Sequence, residues 1–190
     1  MKIEPLFKAE NNALFRISDG KKIDTAKTSK LLVKNILSGN AITPTEKNAP
    51  IGICVSWDEV DIGDGSYNEE LLASLHDYLK ALDDGGFCAI ILPSSQKKLD
   101  GENDAEEFIS AFVHTARRIK DCRCVAGFSI ATSLLEKDAA IHSLGESTHS
   151  RWFSSEMKIK HSHYAFFADK NDIERLALYE AAIAEGIVLI

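Results

Sequence analysis

Five nearly continuous apolar segments, which recur at a regular interval, most restrict the folds open to this chain. They are rich in β-branched and aromatic residues and read IGICVS (51–56), FCAIIL (87–92), CVAGFSI (124–130), HYAFFA (163–168) and IVLI (187–190). Strands that are buried on both faces typically show such runs instead of polar/apolar alternation. The first four begin at residues 51, 87, 124 and 163, so they repeat every 36 to 39 residues. This interval predicts repeated βα units and a parallel sheet with right-handed crossovers.

Apolar residues at helical spacing lie between several of these segments. One stripe, at intervals of one, three and four residues, consists of Leu71, Leu72, Leu75, Tyr78, Leu79 and Leu82. It predicts a helix over 68–82 with Asn68 as its N-cap, and a similar stripe predicts a second helix over 104–120. Residues 172–184 show the pattern again, whereas residues 141–162 lack it and predict a long loop.

The N-terminal part of the chain is less regular. ALFRISDGKKID (13–24) predicts a hairpin around its Asp-Gly pair, and TSKLLVKNILSGN (28–40) predicts a short helix that ends at its glycine. The length fits one domain with a substantial core. We therefore expect a single α/β domain over residues 1–190, with a less regular segment over residues 1–50.

Charge and cysteine usage narrow the classes of partner and compartment. The net charge is −7 and no long basic run offsets it, which argues against nucleic acid or an anionic membrane surface as a partner. No segment has the length of a membrane span, and the N-terminus lacks the apolar core of a signal peptide. The Cys122-Arg123-Cys124 motif has no second pair to complete a zinc site, so the cysteines favour buried, reduced thiols. We expect a cytoplasmic protein.

Two architectures accommodate a series of βα units: an open doubly wound sheet, and all or part of a (β/α)₈ barrel. A length of 190 residues favours the open sheet, because complete barrels usually need about 250 residues. No G-x-G-x-x-G or G-x-x-x-x-G-K-[ST] motif follows any predicted strand. The sequence therefore indicates neither a nucleotide site of these types nor a particular cofactor.

One stretch favours the barrel. In ICVSWDEVDIGDGSYNEELLASLHDYLKALDDGGFCAIILP (53–93), a strand ends near a Trp, and a Gly-x-Tyr loop, an amphipathic helix and the next strand follow. This order resembles the second and third βα units of cellulase-like retaining glycosidases, and the resemblance covers residues 50–135. It implies a partial or truncated TIM-like barrel. Because the chain ends on strand-like GIVLI, we expect a further segment or a second copy to supply the remaining strands.

The resemblance also implies where chemistry would lie. The family's proton donor is a Glu that follows an Asn at the end of the fourth strand, where this chain has Thr132 and Ser133. Retaining glycosidases need a second carboxyl group about 5–5.5 Å from the donor. Glu59 and Glu136 are the remaining candidates, and neither occupies a matching position. The resemblance therefore implies a catalytically degenerate site.

The acidic loop after the first long strand offers binding groups for a sugar. Trp57 could provide a stacking platform, because aromatic faces suit the apolar faces of sugars. Asp58 and Glu59 would then orient hydroxyl groups, and Thr132 and Ser133 would lie opposite them. The alternative is that the indole covers the end of the sheet while the acids face water.

The histidines indicate a metal site less strongly than the acidic loop indicates a sugar-binding site. His142, Glu146 and His149 have the spacing of ligands on one helix face, but Gly145 and the surrounding Ser and Thr residues disfavour a helix there. His161-x-His163 precedes a strand, whereas metal sites in barrels gather after strands. We therefore expect no metal site in these segments.

Three functions remain open from the sequence. The first is a carbohydrate-related, glycosidase-like barrel protein, which would bind a sugar or another small molecule. The second is a flavin-dependent barrel oxidoreductase with a phosphate site in its late strand loops. The third is a non-catalytic interaction or assembly domain, because fold alone does not determine function.

Overall fold

The computed structural model describes residues 4–141, 149–172 and 187–190. Its elements, in chain order, are β1 (Phe7–Glu10), β2 (Ala13–Arg16), β3 (Lys22–Ile23), β4 (Ser29–Leu32), α1 (Val33–Leu37), β5 (Pro50–Ser56), α2 (Trp57–Val60), β6 (Asp61–Gly63), β7 (Ser66–Tyr67), α3 (Glu69–Gly85), β8 (Cys88–Ser94), α4 (Glu102–Arg118), β9 (Val125–Ser129), α5 (Thr132–Ile141), α6 (His149–Lys160), β10 (Ala165–Ala168) and β11 (Val188–Leu189). Within the described residues, no helix combines the length and the apolar character needed to cross a bilayer.

A six-stranded parallel sheet forms the centre of the fold. Its strand order is β4-β5-β8-β9-β10-β11, so its strands lie side by side in the order in which they occur along the chain. This confirms the predicted α/β class and the predicted parallel neighbours at 51–56, 87–92 and 124–130. A doubly wound sheet reverses its strand order at a switch point. The described strands contain no reversal, as is expected for part of a barrel.

The described long helices cover one face of this sheet. The apolar stripe of α3 is fully buried at Leu72, Leu75 and Leu79, and α4 adds Phe108 and Phe112 to the same core. The side chain of Asn68 accepts a hydrogen bond from the backbone N–H of Leu71 at 3.1 Å, which confirms the predicted N-cap of α3. Both helices agree with the predictions to within three residues at each end.

The N-terminal strands cover the opposite face, which we call the inward face. Side chains alternate along β8, so Ala89 and Ile91 contact the helices while the residues between them face the other way. The second core contains Phe7, Leu14, Ile23, Cys88, Ile90, Leu92, Ala126, Phe167 and Val188. Three antiparallel strands, β1–β3, thus fill the space on the inward face of the sheet.

The N-terminal segment is more ordered than its sequence suggests. The hairpin around Asp19-Gly20 is confirmed as β2–β3, and a second hairpin, β1–β2, turns at Asn11-Asn12 with positive φ at both residues. The helix predicted over 28–40 is wrong in its first half. Residues 29–32 form β4 because they pair in parallel with β5, and only α1 remains helical.

The predicted loop over 141–162 is also wrong, because α6 occupies most of it. The buried carboxylate of Asp138 accepts hydrogen bonds from the backbone N–H groups of His149 and Ser150, at 2.8 and 2.9 Å. This acceptor stabilises the first turn of α6 in a segment of weak amphipathic pattern. The helix predicted over 172–184 lies outside the described residues.

We predict that Leu75→Ala lowers the free energy of unfolding by about 2–5 kcal/mol, because it removes a fully buried side chain from the centre of the helix-side core. Ile159→Ala is the matched control on a helix, since Ile159 is 77% exposed, and it should change stability by about 0.5 kcal/mol or less. Urea denaturation followed by circular dichroism measures both. Equal effects of the two substitutions would contradict the described packing of α3.

Candidate functional site

A cavity of about 550 Å³ opens on the inward face at the carboxyl ends of the parallel strands. We call it the strand-end cavity. Its lining residues come from several strands and the turns that follow them, namely Thr25, Ala26, Thr28, Lys30, Leu32, Cys54, Leu92, Pro93, Ser94, Ser129, Ile130, Ala131, Thr132, Asp169, Lys170, Asn171 and Ile190. Barrel enzymes place their active sites at this end of the sheet, so the cavity is the first candidate for a functional site.

Two lysines line the strand-end cavity from opposite parts of the sheet. Lys30 belongs to the edge strand β4, and Lys170 follows β10. Thr25, just before β4, donates its Oγ1 hydrogen bond to the backbone oxygen of Leu189 in β11 at 3.3 Å, so the segment before one edge strand contacts the other edge strand. Within the described residues, neither ammonium group pairs with a carboxylate. The cavity therefore contains two cationic groups.

Hydroxyl groups make up much of the remaining polar lining. Thr132 donates its Oγ1 hydrogen bond to Asp172 Oδ2 at 2.6 Å, and this carboxylate belongs to a residue that is only 2% exposed. The bond joins the start of α5 to the turn after β10. Asp169 also lines the cavity, and its Oδ1 accepts from the backbone N–H of Asn171 at 2.9 Å. The side chains of this rim are thus oriented by hydrogen bonds within the protein.

The residues predicted to bind a sugar do not all lie together. Thr132 lines the strand-end cavity, whereas the Oγ of its neighbour Ser133 is buried and has no hydrogen-bond partner among the described residues. Lys30, Lys170 and Asp169 were missed in the sequence. Their positions at strands or strand ends were visible, but their convergence depends on the order and curvature of the strands.

The chain turns directly into α2 after β5, and this turn buries Trp57. The indole is 8% exposed, its Nε1 donates to Asp61 Oδ2 at 2.9 Å, and its ring meets the ring of Phe108 edge to face at 6.2 Å. It belongs to the helix-side core and does not line the strand-end cavity. This placement agrees with the alternative in which the indole covers an end of the fold.

Asp58, the acidic residue next to Trp57, forms its hydrogen bonds within the protein. Asp58 Oδ2 accepts from the backbone N–H of Gln96 at 2.9 Å and from Ser56 Oγ at 3.2 Å, so it connects the ends of β5 and β8. Partial burial alone would raise the pKa of Asp58, but these hydrogen bonds outweigh it and lower the pKa below its ordinary value. Glu59 and Glu136, the weak catalytic candidates, do not line the strand-end cavity.

Of the histidines singled out in the sequence, His149 and His161 contact other side chains of the protein. His142 and Glu146 lie outside the described residues, so the predicted three-residue group is not described as a whole. His149 Nδ1 lies 3.1 Å from Asp138 Oδ1, beside the first turn of α6. His161 is buried to 7% exposure on the helix side of the fold, next to Tyr164.

A second cavity, of about 690 Å³, lies between α4 and α6 on the outer side of the helix layer. Two of its polar side chains are held by hydrogen bonds within the protein: His114 Nε2 lies 2.9 Å from Glu69 Oε1, and Arg117 Nη2 donates to His114 Nδ1 at 2.9 Å. Tyr67 stacks on the same imidazole, with ring centroids 4.2 Å apart. This cavity shares no lining residue with the strand-end cavity and does not lie at the carboxyl ends of the parallel strands, so we retain the strand-end cavity as the candidate site.

Comparison with known proteins adds no constraint on these assignments. No protein-family model matches the chain, and no curated protein matches it significantly. The resemblance to cellulase-like glycosidases thus stays a prediction. The candidate site is defined by the geometry of the strand-end cavity alone.

We predict that stability rises between about pH 4 and 6.5 through His161. Burial, followed by the nearby His163, Lys120 and Lys160, lowers its pKa from 6.5 to about 4. In this range the unfolded chain binds a proton at His161 that the folded chain does not, so stability falls as the pH drops. The loss should be largest at the acid end of this range.

Urea denaturation at pH values of about 7.0, 6.0, 5.0 and 4.5 tests this prediction. These values span most of the range in which His161 differs in charge between the folded and the unfolded chain. His161→Gln removes the titrating group, so the variant should lose less stability than the parent protein over the same range. Parallel curves for the two proteins would show that His161 has an ordinary pKa in the folded state.

Proposed function

We propose that the protein binds a small, hydroxyl-rich anion of the sugar phosphate or sugar acid class in the strand-end cavity. The observation that supports this most directly is the pair Lys30 and Lys170, which line one cavity without a carboxylate partner among the described residues. Ammonium groups bind phosphate and carboxylate oxygens through charge-assisted hydrogen bonds. An anionic ligand would supply the partner that the two lysines lack.

The rest of the lining matches the neutral part of such a ligand. Ser94, Ser129 and Thr132 present hydroxyl groups that both donate and accept hydrogen bonds. Asp169 adds a carboxylate that accepts from ligand hydroxyls. The volume of about 550 Å³ lies within the range of small-molecule sites. Carbohydrate chemistry, which the sequence suggests, fits this combination of groups.

Binding without glycoside hydrolysis is the second part of the proposal. Hydrolysis with retention needs two carboxyl groups about 5–5.5 Å apart across the scissile bond. Neither Glu59 nor Glu136 lines the strand-end cavity, and Asp169 carries the single carboxylate side chain among its described lining residues. One carboxylate oxygen of the buried Asp172 accepts the hydrogen bond from Thr132. We infer that the cavity recognises its ligand and leaves glycosidic bonds intact.

Lys30→Gln and Lys170→Gln should each weaken binding of glucose 6-phosphate or gluconate at least about tenfold. A hydrogen bond to a charged group contributes about 1.5–3 kcal/mol, and its loss corresponds to this change in dissociation constant. Isothermal titration calorimetry measures the affinities, and the thermal unfolding midpoint reports binding independently through linkage. Uncharged glucose should bind more weakly than either anion.

The matched control is Lys8→Gln, which removes an exposed lysine of β1 that does not line the cavity. It should leave both affinities unchanged. Failure of the parent protein to bind either anion, or equal effects of all three substitutions, would overturn the proposal. Hydrolysis of aryl glycosides that is abolished by Glu59→Gln or Glu136→Gln would overturn its second part. A flavin absorption band in the purified protein would favour the oxidoreductase alternative instead.

A further inference from the structure

Three side chains of metal-binding type converge at the end of the sheet opposite the strand-end cavity. His76 lies on α3, and Asp121 and Cys122 lie in the connection between α4 and β9. One ring nitrogen, one carboxylate oxygen and the thiol sulfur lie within 4.8 Å of one another. His76 Nε2 is already 3.1 Å from Asp121 Oδ1. The group thus joins residues about 45 positions apart in the chain, at the amino end of β9.

We propose that His76, Asp121 and Cys122 form a zinc-binding site. Imidazole nitrogen, carboxylate oxygen and thiolate sulfur are the three common protein ligands of zinc. Zinc bonds of about 2.0–2.3 Å to these atoms place tetrahedral ligands about 3.3–3.8 Å apart. The observed separations, at most 4.8 Å, exceed this spacing by up to about 1.5 Å, which side-chain rotation around a bound ion can close.

The groups around the site orient two of its ligands. His76 Nδ1 lies 3.4 Å from Asp77 Oδ1, which leaves Nε2 directed toward Asp121. Zinc-binding histidines commonly contact a carboxylate through their second nitrogen in this way. Lys80 Nζ lies 3.1 Å from Asp121 Oδ2 and donates to the backbone oxygen of Asp121 at 2.8 Å. Asp121 Oδ1 thereby remains available for the ion.

The charges of the site can accommodate a divalent cation beside Lys80. Binding displaces the proton of the Cys122 thiol to solvent, and the resulting thiolate and the Asp121 carboxylate together neutralise the charge of Zn²⁺. Lys80 is further compensated by Asp83, whose Oδ2 lies 3.9 Å from its Nζ. Three protein ligands leave the fourth tetrahedral position to water.

The position of the site indicates a structural effect of the ion. Cys122 is 1% exposed and packs in the helix-side core, whereas Asp121 is exposed to solvent. A metal bond between His76 and this pair would connect α3 to the start of β9 directly. Because the strand-end cavity lies at the carboxyl ends, the ion would not contact a ligand bound there.

Cobalt(II) provides the test, because a thiolate–cobalt bond gives a near-ultraviolet charge-transfer band that a histidine or carboxylate bond does not give. The protein, treated with EDTA and kept reduced, should bind one cobalt ion per chain and show this band. Zinc should displace the cobalt and abolish the band. Zinc should also raise the thermal unfolding midpoint of the parent protein, since it binds the folded state.

Matched substitutions assign the ligands. Cys122→Ser should abolish the band, whereas Cys54→Ser, which removes a half-buried thiol elsewhere, should retain it. Asp121→Asn and His76→Gln should each weaken zinc binding at least about tenfold, in line with the loss of one ligand. Asp100→Asn is the control for an exposed carboxylate and should bind zinc like the parent protein.

Two results would overturn the proposal. One is a dissociation constant for zinc weaker than about 1 mM, which would leave the His76–Asp121 contact as an ordinary hydrogen bond. The other is a cobalt band that persists in Cys122→Ser. Because Asp121 is exposed, Asp121→Asn tests the site even if Cys122→Ser fails to fold. Circular dichroism of each variant monitors folding, and neither readout depends on ligand binding at the strand-end cavity.

Discussion

Burial of both faces of β5, β8 and β9 is the constraint from which the rest of the fold follows. Their strand order and the right-handed crossovers place successive helices on the same face. The inward face must then be covered by something other than the helices of these βα units. In a closed barrel the strands' own side chains fill that space. Here the hairpins β1–β3 contribute Phe7, Leu14 and Ile23 to it.

This arrangement explains why a cavity remains at one end of the inward face. The N-terminal strands pack against Cys88 and Ile90, in the amino-terminal and middle parts of β8, while Leu92 lies at the border of the strand-end cavity. Beyond that point hydroxyl and ammonium groups join apolar side chains such as Ile130 and Ile190 in the lining. Because β1–β3 cover most of the inward face and stop short of the strand ends, the strand-end cavity has an apolar floor and a polar rim.

Sequence reasoning succeeded where the local pattern and the tertiary environment agree. The stripe around Leu75 and the buried run of β5 are examples, because burial there follows directly from periodicity. Sequence reasoning failed for β4. The segment SKLL (29–32) continues into a helical pattern, and it forms a strand because it pairs with β5. The candidate site was harder still: Lys30 and Lys170 lie 140 residues apart, and no local signal indicates that they line one cavity.

Trp57 shows that a position directly after a strand does not by itself identify a ligand-binding residue. Its place at the carboxyl end of β5 suggests a ligand platform, yet α2 begins at Trp57 itself and the ring packs against Phe108. The same turn places Asp58 where it fixes the loop after β8. These residues therefore support the end of the sheet and lie outside the candidate site on the inward face. A site of this kind depends on a rigid scaffold beneath it, which the helix-side core around Trp57 provides.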